Sequence, residues 1–203
     1  VLHLLQNILL IPCSPEEDYR CFSTNVFGTL NVTKAFVPYL RHSTGHRTLS
    51  NFGSITSWYG GTGHAIYGGT NWAVSGITES LRAELSPFGI AVTVVEPGWF
   101  RTSVLNPGVV AHSKKLMPEY EDGDLGKLRK MLGEINGKQI GDVAKGCKVL
   151  VDVLTMTGVA EGKEIPIRVP LGADAHKIIK EKCESTLKLL DQLEGITTKT
   201  DYE

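Results

Sequence analysis

Little in this chain points to a cross-linked, metal-bound or membrane-inserted protein. Only four cysteines (Cys13, Cys21, Cys147 and Cys183) occur in 203 residues, far apart and without CxxC or Cys/His spacing. That argues against a disulfide framework and against a clustered zinc site, so no metal is expected; reduced structural thiols and a cytoplasmic setting are. Charge of one sign is missing too: 21 basic residues face 22 acidic ones, for a net charge of −1. Nothing there favours nucleic acid or an anionic membrane as partner. Long apolar runs are scarce. The most apolar stretch, from Val1 to Cys13, is interrupted by His3, Gln6 and Asn7 and lacks a basic leader. It is too short to span a bilayer as a helix, and reads as a buried or poorly placed remnant of a longer chain. At 41% apolar and 21% charged, residues 1–203 suit one soluble globular domain with a sizeable core.

The order of elements is that of an α/β protein. Ser14-Pro15-Glu16-Glu17 is a helix start, with a capping serine, proline at the first helical position and acids in the first turn. A longer helix is expected over 24–42 from the spacing of Val26, Leu30, Thr33, Val37 and Leu40, with Pro38 ending or kinking it. A short strand over Arg47–Ser54 leads into the glycine-rich loop Gly60–Gly63. A helix over 67–87 follows, with Ala73, Ile77, Leu81 and Leu85 on one face. Ile90–Val95 is a β-branched run suited to a parallel strand covered on both sides. Residues 103–141 read as a mobile lid rather than core. Asp142 caps a helix over 143–156. Ile165–Val169 reads as an edge strand with Pro166 near its start. A last helix spans about 173–194 within a carboxy-terminal helix-and-tail region, 173–203.

Ser54 stands thirteen residues before Tyr67, and Tyr67 opens an apolar helix. A tyrosine there serves as proton donor to a carbonyl, or acceptor from an alcohol, only if something lowers its ordinary pKa near 10. A cation four residues later on the same helical face would do so. These residues, with Glu96-Pro97-Gly98 closing the β-branched run, resemble the active-site segment of the short-chain dehydrogenase/reductase family, fungal members included. Thr24-Asn25-Val26-Phe27-Gly28 is similar to the family's Asn-x-x-Gly, and Pro97-Gly98-Trp99-Phe100-Arg101-Thr102 to its Pro-Gly-x-x-x-Thr. Val169–Asp174 and the 197–203 tail extend the likeness.

The resemblance implies a partial Rossmann-like, doubly wound parallel sheet. It also implies NADP or NAD as cofactor and a small-molecule alcohol or carbonyl as substrate. The catalytic positions it implies are Asn25, Ser54, Tyr67 and position 71; Tyr67, Pro97, Gly98 and Thr102 would meet the cofactor. Asn25 would kink its helix and hold a water in the proton relay. Helices 24–42 and 67–87 would form a subunit interface, permitting a homo-oligomer. Trp99, Phe100 and Leu105 suggest an apolar substrate pocket.

Two departures bear on activity. Asn71 stands where the family has lysine; it is neutral and shorter, and lowers no pKa by charge. No Thr-Gly-x-x-x-Gly-x-Gly loop, whose helix takes the pyrophosphate, precedes Asn25. The expectation is an amino-terminally truncated chain with catalysis impaired, and a sheet edge left for Val1–Ile11 or a partner to cover. The alternatives are a non-catalytic interaction subunit and a fragment that folds poorly alone.

Overall fold

The first helix begins at its capping signal. In the computed structural model, which describes residues 14–106, 109 and 118–202, the Glu17 amide donates to Ser14 Oγ at 3.3 Å. The Ser14 amide donates in return to the Glu17 carboxylate at 2.9 Å. This reciprocal box satisfies two amides that the first turn would otherwise leave bare. Helix α1 (Pro15–Phe22) passes into a π-helical turn (Ser23–Phe27) and then α2 (Gly28–His42), so residues 15–42 form one helical run with a bulge at Asn25. Pro38 neither ends nor breaks it. The ring is exposed and stands four residues before His42, so its missing amide removes a hydrogen bond only in the last turns.

Strand β1 (Thr48–Phe52) is followed by helix α3 (Ala65–Leu85) and strand β2 (Ala91–Pro97). A short turn (Ser103–Leu105) leads towards α4 (Pro118–Glu121) and α5 (Asp124–Ile135), and then come α6 (Val143–Thr155), β3 (Arg168–Leu171) and α7 (Ala173–Thr197). The three strands are parallel in the order β1-β2-β3. β2 is central, with Val92, Val94 and Val95 fully buried, as its unbroken apolar run requires. Val94 packs with Val26 and Val74, which brings α3 and the π turn onto the sheet. Ile90 and Val92 pack with Leu85 at the other end of α3. Each such side chain contributes about 1.5–3 kcal/mol when fully buried.

Two expectations shift. β3 begins at Arg168, after Pro166, and carries Pro170 instead; an edge position tolerates the lost donor. The 103–141 segment carries helices at Ser103–Leu105, Pro118–Glu121 and Asp124–Ile135, and α5 buries Leu125 and Leu132, because Leu125, Leu128 and Leu132 share one face. Residues 107, 108 and 110–117 of it lie outside the described residues, as does Val1–Ile11, so neither the lid nor a cover over β1 is tested there. Asp142 caps α6 as expected, accepting from the Lys145 amide at 3.1 Å. Among the described residues no helix is long and apolar enough to cross a membrane.

The described cysteines divide by environment. Cys21 is fully buried, and burial pushes its thiol pKa up, whereas Cys147 and Cys183 are exposed. Cys147 and Cys183 are therefore expected to react with Ellman's reagent in the folded protein, and Cys21 only on unfolding. Rapid labelling of Cys21, located by peptide mass mapping, would contradict this packing.

Candidate active site

Five of the expected site residues meet at one place. Ser54 leaves the end of β1 in extended backbone, and its Oγ accepts from the Thr56 amide at 3.2 Å, capping the turn Ile55–Ser57. Tyr67 lies in the first turn of α3. Ser54, Tyr67, Pro97, Gly98 and Thr102 all line one cavity of about 520 Å³. It opens at the carboxyl ends of β1 and β2, where ligands bind in parallel α/β sheets. Trp99, Phe100 and Leu105 line it as expected, joined by Ile55 and Leu132. Burial holds the Tyr67 phenol above the ordinary tyrosine value, and hydrogen bonds with Ser54 and Asn71 oppose that rise without cancelling it.

Asn25 and Asn71 stand behind this wall rather than in it. Asn71 is buried, and its Nδ2 donates to the Tyr67 carbonyl at 2.8 Å. The Thr70 hydroxyl donates to the same carbonyl at 2.7 Å, and Asn25 Nδ2 donates to Thr70 Oγ1 at 3.2 Å. The π turn aims Asn25 at the start of α3, so these polar groups fix the backbone that carries Tyr67. None of them brings a positive charge to the phenol.

Sequence reasoning missed a second group that frames the site. Glu96 is fully buried at the end of β2. Its carboxylate accepts from Trp58 Nε1 at 2.7 Å, Ser75 Oγ at 2.9 Å and Arg168 Nη1 at 2.5 Å. Arg168 also donates to Glu79 at 2.7 Å and lies over the Trp58 ring at 4.6 Å. The carboxylate thus ties β2, β3, α3 and the loop after Ser54 together. The available signal was a lone acid closing an apolar run, with an arginine in the last strand.

The loop after β2 is held from three sides. The Trp99 amide donates to Asp174 Oδ2, in the first turn of α7, at 2.7 Å. A Cβ at position 98 would run into that carboxylate, so Gly98 is required by close approach. Phe100 bridges to Gly141, and Arg101 donates to the Gln139 carbonyl from Nε at 3.2 Å and Nη2 at 3.1 Å. Tyr59 and His64 also face the cavity. Burial, helped by the Asp174 charge, raises the Tyr59 pKa, and burial lowers that of His64. Both side chains are therefore neutral at pH 7.

Comparison with known proteins agrees with this arrangement. The short chain dehydrogenase family model matches residues 11–110. The oxidoreductase YusZ of Bacillus subtilis is 30% identical over 161 residues, 78% of this chain and 55% of that protein. Oxidoreductase calM of Penicillium decumbens is 28% identical over 186 residues, 89% of this chain and 59% of that protein. The chain thus spans little more than half the length of the curated relatives it matches. The crystal structure of a short-chain dehydrogenase from Streptomyces avermitilis superposes with a TM-score of 0.82 at 28% identity, covering 97% of this chain and 68% of that one. From the family model, these relatives and this fold, the chain belongs to the short-chain dehydrogenase family.

Proposed function

We propose that this chain forms the substrate side of an NAD(P)-dependent oxidoreductase site acting on an alcohol/carbonyl pair, with proton transfer weakened at Asn71. The observation that carries this reading is the convergence of Ser54, Tyr67 and the Pro97–Thr102 loop on one apolar cavity. Ser54 would donate to the substrate oxygen and hold it against Tyr67. In reduction the Tyr67 phenol donates its proton to that oxygen; in oxidation the phenolate takes the proton back. With its pKa raised, Tyr67 keeps its proton at neutral pH, which suits the donor and starves the acceptor.

The residues fit the nicotinamide end of the cofactor. Gly98 and Thr102 line the same cavity as Tyr67, and Asp174 fixes the loop that presents them. Pro97, Gly98 and Thr102 would hold the carboxamide; when bound, the cofactor supplies or accepts the hydride. Asn71 donates to the Tyr67 carbonyl, and is too short to hold ribose hydroxyls as the family's lysine does.

Absorbance of reduced nicotinamide, followed with NADPH or NADH and a cyclic ketone, tests the reading. Slow turnover that falls about a hundredfold in Tyr67→Phe is expected, since positioned acids contribute about 10²–10⁴. Turnover unaffected by Tyr67→Phe and by Ser54→Ala would refute it.

A second reading rests on the surface of α2 and α3. Phe36, Tyr39 and Trp72 are large and exposed there, which suits the subunit interface the family resemblance implies. A cooperatively melting oligomer that neither quenches its tryptophan fluorescence with NADPH nor turns over favours a non-catalytic subunit.

A further inference from the structure

One cavity-wall residue has its proton placed by the backbone. His64, the residue before α3, holds Nδ1 2.9 Å from the Thr62 carbonyl oxygen. A carbonyl only accepts, so Nδ1 carries the ring proton and Nε2 of the neutral ring is left as an acceptor. The loop closes on the Nδ1 edge: a Cβ at Gly61 would lie 3.4 Å from Nδ1 and 3.3 Å from the Tyr59 ring. The Tyr59 ring, 6.3 Å away between centroids, braces the imidazole. That leaves the Nε2 edge to the cavity, and among the described residues no protein group bonds it. Burial lowers the His64 pKa, which keeps the acceptor unprotonated at neutral pH.

Most of the surrounding wall is apolar, with Ile55, Trp99, Phe100, Leu105 and Leu132 among its residues. A substrate that fills such a space displaces water from Nε2, and one that offers no donor leaves that acceptor unpaired. His64 and Tyr67 line the same cavity, so one small molecule held there can meet the Tyr67 hydroxyl with its reacting oxygen and His64 Nε2 with a second group.

We propose that His64 is a specificity-determining residue, its Nε2 selecting substrates that carry a second donor, a hydroxyl or N–H, beside the reacting carbon's own oxygen. This rests on the reading that Tyr67 holds the reacting oxygen. Diols, hydroxyketones and amino alcohols are the class favoured; a plain hydrocarbon alcohol of the same size is disfavoured.

Two probes of similar shape separate the possibilities: trans-cyclohexane-1,2-diol, and 2-methylcyclohexanol, in which a methyl replaces the second hydroxyl. Binding is read from tryptophan fluorescence, since Trp99 lines the cavity, and from the imidazole nitrogens of ¹⁵N-histidine-labelled protein. The diol is expected to bind about tenfold more tightly than the methyl compound, within the range of an unpaired buried acceptor, and to shift the His64 Nε2 resonance. His64→Phe should abolish the preference while leaving 2-methylcyclohexanol bound; His64→Gln, which keeps an acceptor, should retain part of it. A preference that survives in His64→Phe, or a diol that leaves Nε2 unmoved, overturns the role of His64 but not the site at Tyr67. Failure of both probes to bind overturns the alcohol site and this proposal with it.

Discussion

Asn71→Lys is expected to lower the midpoint of the Tyr67 titration by about one to three pH units. A unit charge about 4 Å from the phenolate is worth about 1 kcal/mol in bulk water and about 4 kcal/mol at an effective dielectric near 20. At 1.36 kcal/mol per unit, that spans the stated range. Among the described residues no cation acts on the phenol: burial raises it, and the neutral Asn71 and Ser54 side chains only moderate it. Tyrosine ring-carbon NMR of the labelled protein reads the titration directly. Asn71→Met, long but uncharged, is the control and should leave the midpoint high. A lysine variant that titrates like the methionine one would remove charge as the missing element. The same raised phenol carries a pH signature in stability. Its contribution is full below the ordinary tyrosine range and is lost as pH climbs through the folded-state value, so native protein should weaken in strong alkali.

Glu96→Ala should cost about 3–5 kcal/mol of stability, the usual penalty for removing one partner of a buried ion pair. The variant strips Arg168 of its inner carboxylate and removes the acceptor of the Trp58 indole, while Ser75 keeps its bond to Ser57. Glu79, half exposed, remains as the only carboxylate against Arg168 among the described residues and is a weak substitute. Urea unfolding of Glu96→Ala and of Glu96→Gln measures the effect; glutamine keeps an acceptor and should fall between. A change under about 1 kcal/mol for Glu96→Ala would mean that hydrophobic packing, not this carboxylate, joins β3 to β2.

What the sequence made legible follows from how local each signal is. The Ser14 box, the Asp142 cap and the β-branched core of β2 are written within a few residues, and each forms where expected. Ser54, Tyr67, Pro97, Gly98 and Thr102 stand out by their resemblance to one family's motifs, and the fold brings all five to one cavity. The π turn was less legible. A helical pattern predicts turns, but the extra residue at Ser23–Phe27 accompanies a contact from Asn25 to Thr70, 45 residues away. Pro38 does not end its helix, because it stands near an exposed helix end where a missing amide costs little. The Glu96–Arg168 pair lies 72 residues apart in the chain, and no periodicity joins two single charges across that distance. His64 was invisible for another reason: a lone histidine beside a glycine loop acquires meaning only once the Thr62 carbonyl fixes its tautomer.

Gly98 and Asp174 have a bearing on how such chains diverge. The carboxylate grips the Trp99 amide from a position 75 residues further along, and the space it occupies is the space a side chain at 98 would need. The two sites are therefore a single inherited character. A descendant that filled position 98 must first have surrendered the acid at 174, and a chimera taking its last helix from a relative must import that relative's residue at 98 as well. Drift at the far end of the chain is in this way registered beside Tyr67.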